Sequence, residues 1–179
     1  MPYDAVAQAD ALLRELGAEE ISHPGGNLLT HLHRVRARLA AWNAAPTLQL
    51  AGLCHAFYGT DGFPHPLLPL DRRPDLREAI GAEAEELVYF YASCDRKTTY
   101  PTLTDPDAPF RDRFTDGTHT PALPLRQAFV ELTAANELDL ATENPTFRNH
   151  HGPALFALFT RFRPLLSEPA WEDCVAVLL

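Results

Sequence analysis

The chain has 179 residues, 46% apolar and 22% charged, an ordinary globular composition at about one domain's length that excludes a fibrous, low-complexity or mostly disordered protein. With 15 Lys and Arg against 24 Asp and Glu the formal charge is −9, and the densest basic run, Arg34, Arg36 and Arg38, lies among acids and apolar residues, which argues against nucleic acid and anionic membrane as partners. Cys54, Cys94 and Cys174 are widely spaced and odd in number, without a CxxC pair, so neither a disulfide framework nor a zinc knuckle is indicated and a reducing compartment fits. The first twenty residues carry acids where a secretory leader carries basic and continuous apolar residues, and no run approaches a membrane span, which together read as a soluble cytoplasmic protein.

Apolar spacing is helical almost throughout, so an all-α fold of six to seven helices in a single domain over residues 1–179 is expected. Val6, Leu12, Leu13 and Leu16 mark a first helix, stopped by Gly17. Ser22-His23-Pro24-Gly25-Gly26 breaks the chain before a second helix, about residues 27–42, with Leu28, Leu32, Val35, Leu39 and Trp42 as its apolar stripe. Pro46-Thr47 opens a third, 48–58, apolar nearly all round and therefore central. Residues 59–74 read as a long ordered loop of the kind that often carries function. A fourth helix follows at about 76–92. Residues 93–124, without a sustained period, form a second long loop with a short helical turn near Phe110 to Phe114. A fifth helix is set by Leu125, Phe129, Leu132 and Leu138, and two more lie at 154–162 and 170–178.

Polar residues inside apolar stripes point to function, because burying one unsatisfied costs about 1–3 kcal/mol. Leu28, His31, Val35, Leu39 and Trp42 share one face, which turns His31 inward and leaves His33 solvated. His55 shares a face with Leu48, Ala51 and Tyr58, and Asn136 and Asp139 continue the face of Leu125, Phe129 and Leu132. Each alone reads more simply as a hydrogen-bonded core residue. Together they outline a convergent polar site in a helical bundle, where metal and ligand sites are commonly built.

Four stretches carry a resemblance: Thr30-His31-Leu32-His33-Arg34-Val35, then AGLCHAFYGT (51–60), IGAEAEELVYFYASCDRKT (80–98) and LTAANELD (132–139). In order and approximate spacing over residues 20–142, they resemble the HD-domain phosphohydrolase superfamily, most closely its guanosine-tetraphosphate hydrolase branch. The chain also resembles an uncharacterised HD-like family known only as a domain of unknown function, in which HPGG and HAxYGT recur. The resemblance implies an all-α bundle and one metal held by a first His, a His-Asp pair and a later Asp. The histidines fall on His31 and His55. The Asp of the pair falls on Ala56, the last Asp on Asn136, and the acidic pair of the tetraphosphate hydrolases on Gly59 and Thr60, which argues against that activity. Replacement ligands would be His23, Asp61 and Asp139. A set of His31, His55, His23 and Asp61 with open positions would suit one divalent metal (Fe, Mn or Zn) and non-heme iron chemistry better than phosphoester hydrolysis; some members of the superfamily are di-iron oxygenases.

Arg96 and Lys97 are the one basic pair near the expected site and candidates for holding an anionic small-molecule substrate, or else they cap the fourth helix. His23-Pro24-Gly25-Gly26 lacks a phosphate loop's length and Lys and reads as a turn, while His65, His119, His150 and His151 read as surface. No Gly-x-Ser-x-Gly motif is present, and the cysteines read as packing residues. Three functions stay open on the sequence. The first is a divergent HD-like enzyme with His31, His55, Tyr58 and Asp139 as catalytic residues and Arg96, Lys97 and Asn136 binding substrate. The others are a degenerate ligand-binding module, its histidines hydrogen-bonded to Asn136 and Tyr58, and a metal-free histidine lyase, isomerase or cyclase.

Overall fold

Asp4 starts the first helix by accepting hydrogen bonds from the N–H groups of Val6 and Ala7, both 3.1 Å, so that α1 (Ala5–Glu15) begins with its first-turn donors satisfied. The computed structural model describes residues 4–179; they are predominantly helical, with nine helices and two small antiparallel sheets. They fall into two compact units, one ending at Ser93 and the other running from Cys94 to Leu179.

In the first unit the chain passes from α1 into a two-residue-per-strand hairpin, β1 (Ser22–His23) and β2 (Gly26–Asn27), with Ser22 opposite Asn27 and His23 opposite Gly26. Pro24-Gly25 makes the turn: Gly25 sits at φ +83°, which suits glycine at the third position of a type II turn after proline. The Asn27 side chain then caps α2 (Leu28–Ala41) by accepting from Thr30 N–H at 2.9 Å. Pro46 occupies the first turn of α3 (Pro46–Cys54), where its missing donor costs nothing. Helices α4 (Arg73–Ile80) and α5 (Ala82–Ser93) complete the unit, with α2 packed on α3, α3 on α5, and α4 on both α1 and α5. Leu32, Val35, Leu39, Leu53, Phe57 and Val88 are fully buried in its core.

Two expectations change here. The single helix expected over 76–92 is two, divided by Gly81 at φ +89°, a left-handed conformation no helix contains. The third helix stops at Cys54, and residues 55–58 form turns, so Tyr58 does not continue the face that carries His55. The loop after it is tied down by Phe57 C=O, which accepts from both Leu67 and Leu68 N–H at 2.9 Å.

The second unit contains the one-turn α6 (Arg96–Thr99), a hairpin of β3 (Phe110–Arg111) and β4 (Thr118–His119), and three long helices, α7 (Leu123–Glu143), α8 (Pro145–Phe162) and α9 (Glu168–Leu178), each packed on the other two. The turn expected near Phe110 is extended instead, because the Asp112 carboxylate accepts from Phe114 and Thr115 N–H and Asp116 takes φ +60°, which folds 112–117 back on itself. Helix α8 begins nine residues before the expected start, capped by Asn144, and runs through Pro153. Among the described residues no helix is long and apolar enough to cross a membrane.

Candidate functional site

His31 sits one turn into α2 and is 1% exposed; His55 caps the end of α3 and is 3% exposed. Their rings meet edge to face, centroids 5.5 Å apart and planes at 79°. The hairpin brings a third imidazole, His23, flat against His31 at 4.0 Å with planes 28° from parallel. On the other side of His55 the ring of Tyr91, from α5, stands edge-on at 5.5 Å. Phe63 lies 6.1 Å from His23 and 5.1 Å from His65, so the loop after α3 extends the ring cluster toward solvent. Gly59 shapes that loop: it takes φ +69°, and a Cβ there would lie 3.2 Å from Phe63 O and 3.3 Å from His65 N.

The chemistry of His55 is fixed by a backbone contact. Its Nδ1 lies 2.7 Å from Gly52 O, one turn earlier in the same helix. A carbonyl oxygen can only accept, so Nδ1 carries the proton and Nε2 of the neutral ring keeps its lone pair.

Tyr58, expected as a catalytic residue, is committed elsewhere. Its hydroxyl donates to Glu85 Oε1 at 2.7 Å, and the same carboxylate accepts from Arg73 Nε at 2.6 Å, Arg73 Nη2 at 2.9 Å and Arg77 Nη2 at 3.0 Å. Glu85 is completely buried. Burial pushes its carboxyl up, but the hydrogen bonds from Arg73, Tyr58 and Arg77 outweigh burial and hold it below the ordinary Glu value. Burial and the Glu85 carboxylate together push the Tyr58 hydroxyl far above the usual tyrosine range, so it acts as a fixed donor. This center ties α4 to α5. Glu85 was missed because a glutamate in AEAEE reads as solvated; the signal is that Glu85, Val88 and Ala92 share one helical stripe, all buried.

The metal of the HD pattern does not fit these residues. Among the described residues no group of three or more His, Cys, Asp or Glu side chains is placed to hold a metal ion. The ring geometry gives the reason. An imidazole lone pair lies in its ring plane, and the nearly parallel planes of His23 and His31 do not meet within the roughly 2.0–2.1 Å at which nitrogen binds zinc. Asp61 is an exposed turn residue and Ala56 a buried methyl, so His23, His31, His55 and Asp61 do not assemble as the expected ligand set.

Asn136, Asp139, Arg96 and Lys97 belong to the second unit. Asp139 is buried and Asn136 half-buried on α7. Arg96 and Lys97 open α6, whose N-cap is Asp95, rather than capping the end of the helix before it. Arg96 reaches Glu137 at 3.9 Å and Lys97 is exposed. His33 is partly exposed and paired with Asp10 at 2.7 Å, a partner that spacing did not show. His119 stands in β4 against Phe110, and His150 and His151 lie exposed on α8, in keeping with their reading as surface residues.

Residues 12–96 match the model of a family described as a domain of unknown function (DUF6817), a stretch that holds His23, His31, His55 and Tyr91. No curated protein and no solved structure matches the chain.

Proposed function

We propose that this chain is an HD-like small-molecule enzyme in which His31 and His55 act as an acid–base pair without a metal, in the manner of a lyase, isomerase or cyclase. The observation that carries this reading is the hydrogen bond from His55 Nδ1 to Gly52 O. It presets Nε2 as the basic nitrogen, as a general base requires, with a second imidazole whose ring centroid is 5.5 Å away to act on the other proton. A pair of this kind supports about 10²–10⁴-fold of a proton-transfer rate. Reactions that move a proton between two positions of one substrate need nothing more than such a pair. An acidic chain with buried thiols suits the cytoplasm, and the small-molecule substrate, if anionic, is held locally rather than drawn by the overall charge.

The test is a metabolite panel incubated with protein and EDTA in D2O, followed by mass spectrometry. Turnover or deuterium uptake with the natural chain and its loss in His55→Gln support the reading; turnover only after a divalent metal is added contradicts it. A second reading, a ligand-binding module without turnover, is favoured by the near-complete burial of both histidines. It predicts a compound that shifts the melting temperature yet is recovered unchanged.

A further inference from the structure

Two imidazoles exposed by only 1% and 3% meet no substrate until something uncovers them. The face of His31 turned toward His23 is covered by that ring at 4.0 Å. His23 is carried by a surface hairpin of two residue pairs in which Ser22, Pro24, Gly25 and Gly26 are exposed, and a two-stranded hairpin of this size has little stability of its own. Hydrogen bonds fasten the hairpin at its base and tip, besides the Asn27 cap on α2. At its base Leu28 N–H donates to Ile21 O at 2.8 Å, and at its tip Arg34 Nη2, from α2, donates to Pro24 O at 3.1 Å. Gly26, at φ +139°, gives the chain between them a conformation that side-chain-bearing residues rarely take.

We propose that the Ser22–Asn27 hairpin is a gate over the histidine pair, with His23 as its plug, the Ile21–Leu28 contact as its pivot and the Arg34–Pro24 hydrogen bond as its latch. The inference rests on the reading of His31 and His55 as the working pair. Opening swings the His23 ring off His31 and exposes a flat imidazole face. The hairpin thus sets access to the site separately from its chemistry, and a ligand that stacks on His31 holds the gate open by taking the place of the ring it displaces.

The test uses diethyl pyrocarbonate on the intact chain, with carbethoxylation of each histidine followed by mass spectrometry. Arg34→Ala removes the latch and is expected to speed modification of His31 about five-fold, the effect of losing one hydrogen bond of ordinary strength. Exposed His150 and His151 serve as controls whose rates stay fixed. His23→Ala removes the plug; His31 then reacts at least as fast, and adding Arg34→Ala to it changes nothing further. If Arg34→Ala folds poorly, Arg34→Met keeps an apolar stem without a donor and gives the same readout. A His31 rate that is equal in the natural chain and the latch variants, or that rises only in step with urea unfolding, overturns the gate. The measurement needs no turnover, so loss of the gate and loss of the acid–base reading are separate results.

Discussion

His23 lies flat on His31, their ring centroids 4.0 Å apart, at the place where a chain of this pattern would be expected to bring a third ligand to a metal. Stacked rings present their π faces to each other and keep their lone pairs in separate ring planes. Elemental analysis after loading with Fe, Mn and Zn, on protein purified without a His-tag, is therefore expected to find well under one equivalent of tightly held metal. A stoichiometric ion that disappears in His31→Ala would contradict the stack.

Glu85 is the buried anchor between α4 and α5, and the more exposed Glu86 pairs with the same two arginines beside it. Glu85→Ala leaves the Tyr58 hydroxyl buried without its acceptor and is expected to cost about 2–4 kcal/mol in urea unfolding, with Glu85→Gln costing less because one acceptor remains. Its pH dependence follows from a carboxyl held below the ordinary Glu value. The stability it contributes is fully present above that value and is lost as pH falls through the lower, folded one. The natural chain should lose stability on acidification more steeply than Glu85→Gln.

Glu131 behaves oppositely. It is buried on α7 and accepts from Ser167 N–H at 2.6 Å and Ser167 Oγ at 3.0 Å at the start of α9, yet burial outweighs these bonds and pushes its carboxyl above the ordinary Glu value. A raised carboxyl contributes stability below the unfolded value and loses it as pH rises through the folded one. Glu131→Gln is thus expected to equal or exceed the natural chain in stability by about 1 kcal/mol at neutral pH, the difference vanishing in acid. Thermal unfolding at two pH values checks it.

Much of this arrangement was legible because it is periodic. The inward turn of His31 follows from its spacing with Leu28, Val35 and Leu39, and the helical class follows from the same periodicity along the chain. What escaped was aperiodic. Tyr58 was placed by extending a helical face past Cys54, where the chain in fact turns, and the contact between His23 and His31 depends on a hairpin whose turn was recognised but whose reach was not. Glu85 escaped because its partners Arg73 and Arg77 come from a different helix, and Tyr91 because the aromatic run of α5 reads as packing.

Gly59 offers a test of how the loop supports the ring cluster. Gly59→Ala puts a methyl against Phe63 O and His65 N at a left-handed φ, and the expected cost is about 1–2 kcal/mol in urea unfolding. Faster carbethoxylation of His65 should accompany it, since Phe63 and His65 are held by the same turn.

The proton on His55 is the most direct test of the acid–base reading. Long-range proton–nitrogen correlation spectra of the ring, recorded with EDTA and again with one equivalent of Zn2+, should show the tautomer protonated on Nδ1, with no proton on Nε2, in both. A ring protonated on Nε2, or one whose Nε2 resonance moves to a zinc-bound position on addition of the ion, would contradict it.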